Sequence, residues 1–194
     1  NIDVEYARGK GLTVFNTPAA SSQSVAELVM GHLFSCARFL ADSNRQMPGR
    51  GAEEFKTLKK AYGKGTELRG KTLGIVGFGH MGSAFAEKLT GLGCRILACD
   101  PYRNDADGAL GGRVEAVDLP TLQREADVVS LHCNLTPETR GMVDATWLSG
   151  FAKPIVLLNT ARGPILDTAA LLDALDDGRV ISAGLDVYDR EATS

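Results

Sequence analysis

The run Leu73 to Gly82, LGIVGFGHMG, constrains the fold of this 194-residue chain more than any other stretch. Leu73, Ile75 and Val76 make a short apolar strand that feeds directly into Gly77, Gly79 and Gly82 at G-x-G-x-x-G spacing, and a helical pattern begins at Met81, Ala84 and Phe85. Such a strand-turn-helix corner builds a dinucleotide site. Gly77 allows the tight turn out of the strand, Gly79 lets backbone approach a pyrophosphate with no Cβ in the way, and Gly82 lets the helix pack close to the sheet. The helix start then offers free N–H groups and the positive end of its dipole to the phosphates. Eighteen residues past Gly82, Asp100 closes the next strand, Arg95 to Cys99. A carboxylate there accepts both hydroxyls of an adenosine ribose and repels a 2′-phosphate, so the expected cofactor is NAD rather than NADP. A glycine-rich corner in an unrelated α/β protein would explain the glycines but leaves Asp100 unexplained.

From Gly70 onward strand and helix patterns alternate, which calls for a parallel sheet with right-handed crossovers. Strands are expected at 72–76, 95–99, 113–117, 127–131, 154–158 and 180–186, helices at 80–91, 118–125, 144–149 and 167–176, and a glycine-rich turn at 108–112. The fold class is therefore α/β, a doubly wound parallel sheet of Rossmann type, in a single dinucleotide-binding domain over 1–194. Ahead of it, Gly11 to Asn16 reads as a strand stopped by Thr17-Pro18. Ser24-Val25-Ala26-Glu27 reads as a capping box that opens a long helix reaching about Arg45. Its expected core stripe is Val25, Leu28, Val29, Leu33, Cys36 and Leu40, and a second apolar row is Ala26, Met30 and Phe34. A helix apolar on two faces is buried on two, either by a partner chain or by its own domain. From Met47 to Arg69 the chain reads as polar and irregular, with Gly at 49, 51, 63 and 65 and a solvated basic cluster of Lys56, Lys59, Lys60 and Lys64.

With 44% hydrophobic and 23% charged residues the composition is that of an ordinary globular protein. The net charge of -3 offers no electrostatic case for a nucleic-acid partner. No apolar run approaches the ~20 residues of a membrane span and no signal-peptide pattern opens the chain, so a cytoplasmic location is expected. Cys36, Cys94, Cys99 and Cys133 lie in or beside apolar runs without C-x-x-C spacing, and read as buried reduced thiols rather than zinc ligands; no metal site is expected. The first residue begins in mid-pattern and Ser194 follows a strand and turn, as in a piece of a longer enzyme.

Open α/β sheets bind ligands beyond the carboxyl ends of their strands. After the glycine loop and Asp100, the fourth strand ends at His132-Cys133-Asn134, the fifth at Asn159-Thr160-Ala161-Arg162-Gly163-Pro164, and the sixth at Asp186, with Glu191 five residues on. Arg162 stands at the mouth of an apolar strand, and its planar fork suits a bidentate grip on a carboxylate; capping of carbonyls or pairing with a surface acid is the alternative. Taken alone, Glu191 could be a solvated carboxylate, and Asp186 a strand-end acid bonded to backbone amides.

Asn1-Ile2-Asp3, Asn16-Thr17-Pro18, Val25-Ala26-Glu27, Glu67 to Gly74, the glycine loop, His132 to Thr139, Asn159 to Gly163 and Leu185 to Tyr188 together resemble the D-isomer-specific 2-hydroxyacid dehydrogenases, and within them the branch acting on D-3-phosphoglycerate at the entry to serine biosynthesis. The resemblance covers nearly the whole chain. It implies a two-lobed oxidoreductase that moves a hydride between a D-2-hydroxy acid and NAD, with this chain as the nucleotide-binding lobe and the substrate lobe missing. Arg162 matches the arginine that grips the substrate, and Glu191 the acid that pairs with a catalytic histidine and raises its pKa. That histidine belongs beyond Ser194, and His32, His80 and His132 do not match it. Asp186 matches the residue on the nicotinamide side, and His80, Met81, Asp100, Cys133, Thr160, Ala161 and Arg162 match cofactor contacts. The long N-terminal helix, about 24–45, matches the element that forms the homodimer. Lys59 and Lys60 follow it, and similar enzymes reach a substrate phosphate across the dimer from this region, Lys60 being the better match. Asn134 stands where the family has proline. Two other functions fit the same motifs: another dehydrogenase of the family, such as a glyoxylate or hydroxypyruvate reductase, or an NAD-sensing corepressor-like interaction module.

Overall fold

The computed structural model describes residues 2–103 and 107–189. Strands β1 (Thr72–Val76), β2 (Arg95–Cys99), β3 (Val114–Ala116), β4 (Val128–Leu131), β5 (Ile155–Asn159) and β6 (Val180–Leu185) form one sheet in the order β3-β2-β1-β4-β5-β6. Every neighbouring pair is parallel. The order reverses between β1 and β4, the doubly wound arrangement, and a crevice opens where the flanking crossovers diverge. All four residues of β4 and all five of β5 are buried. That is why these strands read as unbroken apolar runs: covered on both faces, they have no side left to be polar.

The helices are α1 (Val4–Gly9), α2 (Ser22–Arg38), α3 (Leu40–Tyr62), α4 (His80–Leu89), α6 (Leu119–Glu125), α7 (Ala145–Ser149) and α8 (Thr168–Asp176), and the short element α5 (Ala109–Gly112) is the expected glycine-rich turn, with left-handed φ at Leu110, Gly111 and Gly112. Helices α2 and α4 cover one face of the sheet, where Val29, Leu33 and Phe85 pack with Leu73, Ile75, Val156 and Leu158. On the opposite face Leu122, Trp147, Leu148 and Leu171 pack with Val76, Val129, Leu131 and Leu157. Strand residues thus alternate between the two cores with period two. Four helices start on an aspartate whose carboxylate accepts a backbone N–H of the first turn: Asp3 from Tyr6, Asp118 from Thr121, Asp144 from Trp147, and Asp167 from Ala169.

The N-terminal third departs from the sequence reading. Gly11 to Asn16 forms no strand; it has no neighbouring strand to pair with, and Leu12 and Phe15 are exposed. Helix α2 begins at Ser22, two residues before the expected cap, and the Ser24 hydroxyl donates to the Ser21 carbonyl from inside the first turn instead of closing a capping box. It ends at Arg38, not near Arg45, because Phe39 takes a left-handed conformation (φ 56°, ψ 33°) that turns the chain into a second helix. The fully buried face is Ala26, Val29, Leu33 and Ala37. Val25, Met30, Phe34 and Cys36 are half-buried against the same core, while Leu28 and Leu40 are exposed. Residues 47–62, expected to be irregular, are helical as part of α3 except at Glu54, where φ -112° and ψ 18° kink the helix. Good helix formers from Ala52 to Ala61 and the bonds from Arg50 to Gln46 and Glu54 outweigh Pro48 and the two glycines. Among the described residues no single helix is long and apolar enough to cross a membrane.

Candidate dinucleotide-binding site

The glycine corner is built as its spacing requires. Gly77 has φ +92°, and a Cβ there would lie 2.6 Å from the backbone nitrogen of Cys133. A Cβ on Gly82 would lie 2.3 Å from the Gly77 carbonyl oxygen, so only glycine lets α4 sit this close to β1. Gly79 is different: a Cβ there would meet nothing within 4 Å. The protein itself leaves that space open, as a ligand lying against the loop would require. Gly79 also precedes α4 with no side chain capping the helix's first amides, which leaves them to an anion. Asp100 ties the next strand to this loop: its Oδ2 accepts the Phe78 N–H at 2.7 Å and its Oδ1 the Tyr102 N–H at 2.9 Å.

In front of the ends of β3, β2, β1 and β4 lies a cleft of about 800 Å³. Of the predicted contacts, Gly77, Gly79, His80, Met81, Asp100 and Cys133 line it, and Gly82 is buried just behind. Tyr102, Val117, Asp118, Leu119, Met142 and Trp147 line it as well and escaped the sequence reading. The signal for Val117 and Asp118 was present: a strand was expected at 113–117, and its carboxyl end is one of the strand ends that line such a crevice.

All four cysteines are free and half-buried rather than fully buried. The two in the cleft are poor nucleophiles: burial pushes the Cys133 and Cys99 thiols up, and the charges of Asp100 and Asp118 add to this at Cys99. His132 lines the cleft yet is enclosed on most sides, and burial lowers its pKa from 6.5 to about 4. Its Nε2 lies 2.8 Å from the Ser130 hydroxyl and its ring packs 5.4 Å from that of Phe85, so it is neutral at neutral pH.

The other predicted residues stand beyond the cleft, at the ends of β5 and β6. The buried Asn159 shapes that turn: its Nδ2 donates to the Arg162 carbonyl at 3.1 Å and its Oδ1 accepts the Ala161 N–H at 3.0 Å. The Asp186 N–H donates to the Asn159 carbonyl at 3.0 Å, and the chain after it crosses so closely that a Cβ on Gly163 would lie 1.9 Å from the Tyr188 carbonyl oxygen. Arg162 and Asp186, 24 residues apart, are thereby brought to one exposed corner. Arg162 donates from Nη1 to the Ala161 carbonyl at 2.6 Å. The Thr160 hydroxyl is buried with no hydrogen-bond partner among the described residues. Glu191 lies outside the described residues. Lys60 is exposed on the last turn of α3. Among the described residues no group of three His, Cys, Asp or Glu side chains could hold a metal ion.

Residues 30–194 match the family profile described as D-isomer specific 2-hydroxyacid dehydrogenase, NAD binding domain. The chain is 42% identical over 191 residues to a hydroxypyruvate reductase of Thermotoga maritima, covering 98% of this chain and 59% of that protein. It is 38% identical over 193 residues to a D-3-phosphoglycerate dehydrogenase of Methanocaldococcus jannaschii, covering 98% of this chain and 35% of the relative. The crystal structure of apo D-mandelate dehydrogenase from Rhodotorula graminis superposes with a TM-score of 0.89 at 29% identity, over 100% of this chain and 57% of that one. The chain thus spans little more than half of the length of one curated relative and about a third of the other. The open side of Gly79, the uncapped start of α4 and the tethered Asp100 fit a dinucleotide, and with the match over residues 30–194 they place this chain in the family of D-isomer specific 2-hydroxyacid dehydrogenases, as an NAD-binding domain.

Proposed function

We propose that these residues form the nucleotide-binding lobe of an oxidoreductase that moves a hydride between a D-2-hydroxy acid and NAD. The observation that carries the reading is the pairing of Asp100 with the Phe78 amide, beside a Gly79 whose missing side chain nothing in the protein replaces. In it, Gly79 and the first amides of α4 hold the pyrophosphate and Asp100 holds the adenosine ribose. Asp186 and Thr160 to Arg162 lie toward the nicotinamide, which accepts or donates the hydride when bound. Arg162 grips the substrate carboxylate, exchanging its present bond to the Ala161 carbonyl for a two-pronged one, and Glu191 supports the acid–base histidine. Calorimetry tests the cofactor assignment: NAD should bind at least ~10-fold tighter than NADP, a gap of about 1.4 kcal/mol. Equal affinities would refute it.

Two substrates fit: D-3-phosphoglycerate, or hydroxypyruvate, whose reduced form D-glycerate differs from D-3-phosphoglycerate by one phosphate. D-3-phosphoglycerate fits the resemblance of the motifs, with Lys60 meeting the phosphate from the partner subunit of a homodimer. Hydroxypyruvate is favoured by the 42% identity to the Thermotoga maritima hydroxypyruvate reductase. Steady-state rates of the full-length enzyme on D-3-phosphoglycerate and D-glycerate separate them. If the phosphorylated acid is the substrate, Lys60→Ala raises its KM and leaves that of D-glycerate unchanged; equal effects make Lys60 a surface residue. The homodimer reading is supported by α2 and α3, where Leu28, Phe39, Leu40 and Phe55 are exposed and Leu40 lines a groove with Ser35, Met47 and Pro48. Free thiols and an NAD-linked reaction suit the cytoplasm.

A further inference from the structure

We infer that Asp118 is a second specificity-determining carboxylate of the cleft, one that repels a 2′-phosphate on the adenosine ribose independently of Asp100. The inference rests on NAD binding in that cleft. Strands β2 and β3 run parallel with Ile96, Leu97 and Ala98 level with Val114, Glu115 and Ala116. The Val117 N–H continues the ladder onto the Ala98 carbonyl at 2.9 Å. Carried on by two residues, the same register sets Asp118 level with Asp100 on strands about 4.8 Å apart. Both residues line the cleft, and the thiol of Cys99 feels both charges.

The two carboxylates are held in place by different bonds. Asp100 is fixed by the Phe78 and Tyr102 amides. Asp118 is fixed as the cap of α6, with Oδ1 accepting the Thr121 N–H at 2.9 Å; Thr121 holds its carboxyl below the usual range, so it stays ionised through neutral pH. The cap needs no charge, since asparagine or serine serves as well as aspartate. The cap therefore does not require the charge at position 118, and that charge stands in the same cleft as Asp100. Removing Asp100 alone leaves the carboxylates of Asp118 and Glu138 in the cleft lining and also frees two backbone amides that the Asp100 carboxylate had satisfied. The positive end of α6 offsets part of the Asp118 charge, which makes its effect the smaller of the two.

Asp118→Asn keeps the cap and removes the charge, and Asp118→Ser does so with a different side chain. The wild-type chain and each variant are titrated calorimetrically with adenosine 2′,5′-bisphosphate and with 5′-AMP, at low and high salt. The affinity ratio of bisphosphate to 5′-AMP should rise at least about fivefold in both variants at low salt. The gain should shrink at about 0.5 M salt, and the thermal midpoint should fall by no more than a few degrees, the loss of the charge's interaction with the start of α6. Asp100→Asn combined with Asp118→Asn should exceed either single change. A ratio unchanged in both Asp118 variants while Asp100→Asn shifts it would overturn the inference and leave Asp118 a helix cap. Loss of 5′-AMP binding in Asp118→Asn would overturn it too, by making the carboxylate a contact of the cofactor itself. A wild-type chain that bound no 5′-AMP would count against NAD in this cleft.

Discussion

Gly79 and Gly82 sit three residues apart in one motif and should respond oppositely to the same substitution. A methyl at position 82 meets the Gly77 carbonyl at 2.3 Å, and backbone has to move to admit it. Gly82→Ala should therefore cost about 1–3 kcal/mol of stability, visible as a thermal midpoint lowered by several degrees. A methyl at position 79 meets only open space. Gly79→Ala should leave the midpoint nearly unchanged and weaken NAD binding about 10-fold or more, because the methyl occupies the ligand's volume. A Gly79→Ala chain that bound NAD normally would remove the loop from the site. His132 offers a pH signature. Its folded pKa of about 4 lies below its ordinary 6.5, so between those values the unfolded chain binds a proton that the folded one refuses. Stability is complete above pH 6.5 and is withdrawn as pH falls toward 4, by roughly 3 kcal/mol in all. Urea unfolding from pH 7 to 4.5 should show this loss, and His132→Gln should flatten it.

Among the elements, α2 and α3 carry the proposed dimer, and the structure changes which residues test it. Met30 and Phe34, the row expected to need a partner, are half-buried against the chain's own core. Charges there would damage the fold and could mimic dissociation. Leu28 and Leu40 are 41% and 51% exposed, so Leu28→Glu with Leu40→Glu should give monomers by sedimentation without lowering the thermal midpoint. A wild-type chain that sediments as a monomer at high concentration would refute the dimer. The strands and helices after Gly70 were legible to within about two residues because each is bounded by its own turn chemistry and many are buried on both faces. Helices α2 and α3 were less so. A serine three residues before a glutamate looks the same inside a first turn as at a cap, and the break at Phe39 has no glycine to announce it.

At the scale of the whole molecule, activity should need more than these described residues. The chain has three histidines; His132 is neutral and bonded to Ser130, and among the described residues no carboxylate pairs with His32, His80 or His132. General acid–base help contributes about 10²–10⁴-fold, and without a paired histidine beside Arg162 that help is lost. The purified 194-residue chain should bind NAD and reduce it with no D-2-hydroxy acid; an enzyme-like rate would make His132 or His80 the acid–base group. Strand positions, the glycine corner and the carboxylate of Asp100 could all be read along the chain, since hydrophobic period and turn chemistry are properties of consecutive residues. The meeting of Asp118 with Asp100 and of Arg162 with Asp186, and the face that α2 buries, could not. They follow from which strand ends lie side by side and which helix covers them, and those pairings join residues far apart in the chain, where no local pattern reports them.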